Sequence, residues 1–293
     1  MSYIDSFVEV KWNEKERALP LYSRFISSLN QSRHLIVYTH GAVSSDRFPY
    51  YNGMNIGSEL SSSANFLLFS DPLLSLFETK KKCSWFTSPF EEENIIESMA
   101  NVIKDVVNKF NIEKILFIGG SAGAIPLIRV SQYFTEACFF MWNPQLHIFN
   151  YHSGHVERYC KALSIGPELK NALKQADYLS SCNMFDKKWF ENKENKYYIV
   201  QMFNDDFHIK NHIEPFCASI RGKKSIISSK FSKNILPNVL VHIGRWSFPY
   251  RRPDGSITNH LPPSKRLQER LIKDFVSSGD IFSSNYFRKW NVK

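Results

Sequence analysis

The apolar positions of the chain fall into short runs of strand character separated by stretches with helical spacing. Phe7-Val-Glu-Val-Lys-Trp12 alternates apolar and polar, as a half-exposed edge strand does, and a less regular segment follows to about Gln31. His34-Leu-Ile-Val-Tyr38, Asn65-Phe-Leu-Leu-Phe69, Lys114-Ile-Leu-Phe-Ile118, Ala137-Cys-Phe-Phe-Met-Trp142, Tyr197-Tyr-Ile-Val-Gln201 and Val239-Leu-Val-His-Ile243 are instead nearly continuous apolar runs, the pattern of strands covered on both faces. Between them, residues 91–110 place Ile95, Ile96, Met99, Val102, Ile103, Val106, Val107 and Phe110 on one helical face, with Glu91, Glu92 and Glu93 at the dipole-favoured start. Ser264 caps a closing helix striped by Leu267, Leu271, Ile272 and Phe275. Strands alternating with helices predict an α/β fold built on a doubly wound, mostly parallel sheet. Residues 146–194 break the rhythm and read as an insertion over the strand C-termini, a lid or substrate platform. With no internal repeat and no long linker, residues 1–293 count as a single domain.

Composition then narrows the partners. No run approaches the ~20 apolar residues of a membrane span, and Asp5 and Glu9 interrupt the region where a secretory leader would be apolar, so a cytoplasmic address is expected. Five scattered cysteines without a C-x-x-C pair suggest neither a disulfide framework nor a zinc site. The formal charge of +9, from 37 Lys and Arg against 28 Asp and Glu, favours anionic partners, including acidic glycans or a lipid surface touched peripherally. Its tight clusters are Lys80-Lys81-Lys82 and Arg251-Arg252, without any recognition-helix or RNP-type pattern, which argues against nucleic acid. Oligomeric state is left open.

The chemistry centres on Gly119-Gly-Ser-Ala-Gly123, where the strand from Lys114 gives way to a helix. This is G-x-S-x-G: a sharp turn pushes the Ser121 hydroxyl outward, and side chains at 119 or 123 would collide with neighbouring elements. Pro126 requires the following helix to start late or with an altered first turn. A serine needs a base, and the base an orienting acid. Asp205, or its neighbour Asp206, follows the strand ending at Gln201, and His260 lies between the last strand and the last helix, stiffened by Leu261-Pro-Pro263. In the α/β-hydrolase plan, which this layout resembles, the strand-end loop Thr39-His-Gly-Ala42 supplies the Gly41 or Ala42 amide beside that of Ala122 as an oxyanion hole. His208 and His212 share the spacing of a metal pair, but with no third ligand and no H-E-x-x-H motif no metal is expected. His147, His152 and His155 read as surface residues of the insertion. Trp85, Tyr151, Trp189 and Trp246 are candidates for stacking on sugar faces.

With Ser121, Asp205, His260 and His40-Gly41 in this order, the chain from about 34 to 276 resembles the α/β-hydrolase superfamily. The resemblance implies a serine esterase, lipase, peptidase or acyltransferase. Gly120-Ser-Ala-Gly123, Trp142-Asn-Pro-Gln145, Asp205-x-x-His208 and His260-Leu-Pro-Pro263 are further similar to bacterial proteins of surface or capsular polysaccharide synthesis. That likeness implies a small ester or glycan substrate, with His40, Trp142, Asn143 and His208 beside it. No cofactor is implied, beyond acetyl-CoA as the acyl donor of a transferase. The competing reading is a non-catalytic protein of this fold that binds a glycan or protein partner.

Overall fold

The computed structural model describes residues 2–11, 18–27, 32–88, 95–174, 182–222, 232–246, 250–251, 255 and 257–282; Trp12, Glu91, Glu92, Glu93 and Arg252 lie outside them. A nine-stranded sheet runs through the molecule: β1 (Ser2–Lys11), β2 (Ala18–Ser27), β3 (His34–Tyr38), β4 (Asn65–Ser70), β5 (Lys114–Gly120), β6 (Cys138–Trp142), β7 (Lys196–Met202), β8 (Ser232–Leu236) and β9 (Val239–Gly244). Their order is β1-β2-β4-β3-β5-β6-β7-β9-β8. The six strands from β4 to β9 pair in parallel. The flanking β1, β2 and β8 are antiparallel, so the expected doubly wound, mostly parallel sheet is present. The segment up to Gln31, which has no clean period, supplies the antiparallel partner β2, paired in full register with β1 from Ser2↔Ser27 to Lys11↔Ala18.

Helices cover both faces, which is why the central strands are apolar without alternation. Leu35, Val37, Phe117, Phe139 and Ile199 point to the face under α2 (Ile95–Phe110), α3 (Ala124–Val130), α4 (Ser153–Ala162) and α6 (Glu214–Arg221). Ile36, Tyr38, Ile118, Phe140 and Val200 point to the face under α1 (Met54–Leu60) and α7 (Lys265–Ser278). Across β5, β6 and β7 the rings of Phe117, Phe139 and Tyr197 stack at 4.6 and 4.9 Å, a cross-strand ladder on the first face. Among the described residues of 146–194 the α-helices are α4 and α5 (Pro167–Lys174). The inner side of this segment (Leu146, Ile148, Val156, Tyr159, Phe190) is continuous with the core. Among the described residues no helix is long and apolar enough to cross a membrane.

From β3 the chain moves to β4 on one side, then returns to β5 on the other. The loops after β3 and β5 therefore diverge and open a crevice at the strand C-termini, the usual ligand position of such sheets. In that crevice the backbone after β5 is unusually crowded. A Cβ on Gly119 would lie 2.5 Å from Thr39 Oγ1 and 2.8 Å from the Gly123 carbonyl oxygen, and one on Gly123 would lie 2.8 Å from the His40 carbonyl oxygen. Gly119→Ala is therefore expected to cost about 1–3 kcal/mol by overpacking against backbone. Urea denaturation measures it, and stability equal to wild type would show that the turn has slack.

Candidate functional site

Ser121 sits at φ 54, a left-handed conformation that a non-glycine residue adopts at a cost. It is held there by its surroundings. Gly120 lies flat against the Trp142 indole, where a Cβ would overlap the ring. Thr39 Oγ1 donates to the Gly123 carbonyl at 2.7 Å, tying the end of β3 to the turn. The chain leaves Ser121 through one 3₁₀ turn, Ser121–Gly123, before α3 begins at Ala124. Pro126 thereby falls in the first turn of α3, where its missing N–H leaves no helical bond unmade.

The residues expected as acid and base follow later strands of the sheet. Asp205 follows β7 by three residues and is buried, whereas Asp206 is exposed. Asp205 Oδ2 accepts from His260 Nδ1 at 2.8 Å, and Oδ1 accepts from His208 Nδ1 at 2.9 Å. The two imidazoles stack with centroids 4.0 Å apart and planes 20° from parallel. Burial pushes the Asp205 carboxyl up, but the hydrogen bonds and charges of both histidines outweigh it and hold the group well below the usual carboxylate range. Because His260 uses Nδ1 on the carboxylate, its Nε2 is the nitrogen left to take a proton. His260 and Ser121 line one cleft of about 700 Å³ together with Gly41, Ala42, Trp142 and Tyr151. Among the described residues no hydrogen bond joins Ser121 to His260. Ser121 Oγ instead accepts from Gln145 Nε2 at 2.7 Å.

The loop after β3 lies against the nucleophile turn. A Cβ on Gly41 would stand 3.1 Å from Ser121 Cβ, so only glycine brings this backbone so close without a shift. Neither the Gly41 nor the Ala42 amide is engaged by another group among the described residues. His40, expected beside substrate, lines the cleft, and both of its ring nitrogens are hydrogen-bonded to backbone. Its Nε2 accepts the Asp71 N–H at 3.0 Å, which leaves Nδ1 to donate to the Gly41 carbonyl at 2.8 Å.

Trp142 and Asn143, also expected beside substrate, line the same cleft, and Asn143 carries structural hydrogen bonds as well. Asn143 is fully buried at φ 43, donating from Nδ2 to the Leu261 carbonyl and accepting the Met202 N–H on Oδ1. His208 serves Asp205. Trp85 and Trp246 are buried, with their indole N–H groups on Gln145 Oε1 and the Leu261 carbonyl, and Trp189 donates to the Asn183 carbonyl. Of the four proposed stacking aromatics, only Tyr151 lines the cleft. His147 is buried rather than superficial and accepts the Phe149 N–H, while exposed His152 stacks on Phe207 at 3.8 Å. The burial of Trp85, Trp246 and His147 depends on partners that the sequence does not order.

Donor atoms of Asp205, His208 and His260 lie within 4.8 Å of one another. The nitrogens facing the carboxylate are already donating to it, so a cation there would have to displace both imidazole protons. His212 does not join this group; its Nδ1 accepts the Leu146 N–H at 3.3 Å. A second, smaller hollow of about 420 Å³ adjoins the cleft at Tyr151, His155 and His260, and is lined by polar groups including Asn204, Asp206 and Asn259. Lys81 stands at the cleft, while Lys80 is paired with Asp46 at 2.8 Å.

No protein-family model matches this sequence, and no curated protein matches it. Solved structures do. A capsule O-acetyltransferase of Neisseria meningitidis serogroup A superposes with TM-score 0.54 at 13% identity, over 91% of this chain and 97% of that one. An esterase from Pyrococcus furiosus superposes with TM-score 0.51 at 15% identity, over 94% and 92% of the two chains. A prolyl oligopeptidase B from Galerina marginata gives 0.52 at 9% identity over 94% of this chain, which spans only 36% of that longer protein. The chain therefore has the α/β-hydrolase fold.

The site also fixes a pH response. Burial lowers His40, His147, His155 and His208 to about 4 and His212 well below its usual value, so the folded protein holds them neutral. Between about pH 6.5 and 4 the unfolded chain binds protons that the folded one does not, so stability must fall as pH drops through that window. Asp205, with its depressed value, withdraws its own contribution only at still lower pH. The melting temperature is expected to fall by on the order of 10 °C between pH 7 and pH 5; a flat profile would mean that these histidines are hydrated in the folded state.

Proposed function

We propose that the protein is a serine-dependent enzyme of ester chemistry, carrying out ester hydrolysis or acyl transfer through an acyl-enzyme on Ser121. The observation that carries this reading is the 2.8 Å Asp205–His260 bond facing, across one cleft, a serine in a left-handed turn at a helix start. In the first half-reaction the Ser121 hydroxyl proton passes to His260 Nε2 while the Oγ electron pair bonds to the acyl carbon. The carbonyl pair moves onto oxygen, where the amides of Gly41 or Ala42 and of Ala122 are suited to hold it. Collapse expels the leaving group, which takes the proton from His260. In the second half an acceptor hydroxyl gives its proton to His260 as its oxygen bonds to the acyl carbon, and the C–Oγ bond breaks with return of the proton to Oγ.

Within this class we favour a sugar hydroxyl as acceptor, with acetyl transfer as the specific reaction and acetyl-CoA as its donor. Three features support it: two adjoining polar hollows that meet at His260, a residue 146–194 segment whose Tyr151 and His155 roof both, and Lys81 at the cleft for an anionic group. Such a segment could shield an acyl-enzyme from water. The fold shared with a capsule O-acetyltransferase agrees with this choice. The binding-protein reading draws on one observation, the Gln145 hydrogen bond that occupies Ser121 Oγ in place of His260.

A fluorophosphonate probe separates the two readings: wild type is expected to label, and Ser121→Ala not to. His260→Ala and Asp205→Asn should lose at least about 10³-fold in kcat/KM toward p-nitrophenyl acetate, and Asp206→Asn should stay within about twofold of wild type. Absence of wild-type labelling would favour binding without catalysis. For the acceptor, acetyl-CoA is supplied with and without candidate polysaccharides. Acetate incorporation that outruns hydrolysis supports the transferase, and hydrolysis indifferent to every acceptor leaves an esterase.

A further inference from the structure

Gln145 ends the Trp142-Asn-Pro-Gln145 run after β6 and is fully buried. It grips residue 121 twice: its backbone N–H donates to the Ser121 carbonyl at 3.0 Å, and its Nε2 donates to Ser121 Oγ at 2.7 Å. The two ends of a side-chain amide are hard to tell apart by shape, but here chemistry orders them. The other end faces the Trp85 indole N–H at 2.5 Å. An indole can only donate, so that end is Oε1 and the amide must present its N–H to Ser121.

Trp85 cannot swing away from this role. It is 1% exposed, with its ring edge-on to Tyr159 at 5.1 Å and to Tyr151 at 6.1 Å. It and Phe86 occupy left-handed backbone conformations, φ 57 and φ 50. Buried Asp71 holds this turn by accepting from Ser84 Oγ at 2.7 Å and from the Phe86 N–H at 2.5 Å on Oδ2. The same residue donates its own N–H to His40. Asp71 thus anchors both, its backbone N–H holding the loop that carries the Gly41 amide and its carboxylate the turn that aims Gln145.

A serine hydroxyl has one proton and two lone pairs. With one lone pair taken by Gln145, the proton stays available for a base. We infer that Gln145 is a further catalytic residue: its carboxamide N–H stabilises Ser121 Oγ when that oxygen carries charge, most of all when Oγ is expelled from the acyl-enzyme. This rests on Ser121 being the nucleophile, as proposed above. In that step the acceptor oxygen bonds to the acyl carbon and its proton moves to His260; the C–Oγ bond then breaks, its electron pair stays on Oγ, and Oγ takes the proton back from His260. A donor already aligned on Oγ makes it a better leaving group. During attack the same bond eases loss of the proton but draws density from the nucleophile, so the two effects offset one another. Removing the donor must therefore slow deacylation more than acylation.

Gln145→Met keeps the length of the side chain without a donor, and stopped-flow turnover of p-nitrophenyl acetate reads the two steps as burst and steady state. The expected result is deacylation slower by roughly 100-fold, acylation slower by less than about 5-fold, and acetylated Ser121 accumulating in intact mass spectra. Trp85→Phe leaves Gln145 in place but frees its amide, and should show the same split at smaller size. If Gln145→Met folds poorly, this second variant carries the test. Both phases unchanged in the variants, or lowered in equal proportion, would overturn the role of Gln145 while leaving Ser121 as nucleophile. A wild type with neither burst nor turnover would overturn the nucleophile reading and this inference with it.

Discussion

The contact on which the site depends is the close approach of the β5 turn to the end of β3. Gly119, Gly123 and Gly41 leave no side chain between the two backbones, and Thr39 closes the gap with a hydrogen bond to the Gly123 carbonyl. Once these segments touch, Ser121 has no room to relax from φ 54 and its hydroxyl stands in the crevice that the reversal of strand order opens. The strain is local, and the buried sheet on both sides supplies the rigidity that maintains it.

Around that contact the molecule places polar side chains where their hydrogen-bonding capacity is used up by backbone. Asp71 accepts from the Leu73 and Phe86 amides and from Ser84, and Asn143 bridges the Met202 amide and the Leu261 carbonyl. An unpaired buried polar group would cost about 1–3 kcal/mol, so these partnered ones act as fixed joints, Asp71 within the loop after β4 and Asn143 between the segments after β6, β7 and β9. Asp205 is the joint between two imidazoles. Its two oxygens hold the two stacked rings, of which His260 lines the cleft shared with Ser121. Among the described residues His208 Nε2 is buried without a partner, which fits a ring held neutral by burial.

What could be read from the chain, and what could not, divides along the same physical line. Continuous apolar runs in β3 to β7 and β9 are legible because burial on both faces removes the alternation that a one-sided strand would keep. The antiparallel β2 was not, since its residues face a different mix of neighbours and its pairing is decided by the partner strand. The helix of residues 95–110 and the closing helix from Lys265 follow from their spacing, and the Pro126 helix start from the missing N–H.

Local covalent chemistry and chain order by themselves determined the glycine-flanked serine turn, the identity of residues able to act as base and acid, and the layer architecture. Tertiary structure decided which of two adjacent carboxylates, Asp205 or Asp206, is buried against His260. It also tied His40 and Asn143 at the cleft wall to backbone groups, turned Trp85 and Trp246 inward and brought Gln145 onto Ser121. The reason is range. A turn or a helix is set by neighbours a few residues away, whereas a hydrogen bond such as Trp85 to Gln145 joins residues 60 apart and exists only after the sheet has brought their loops together.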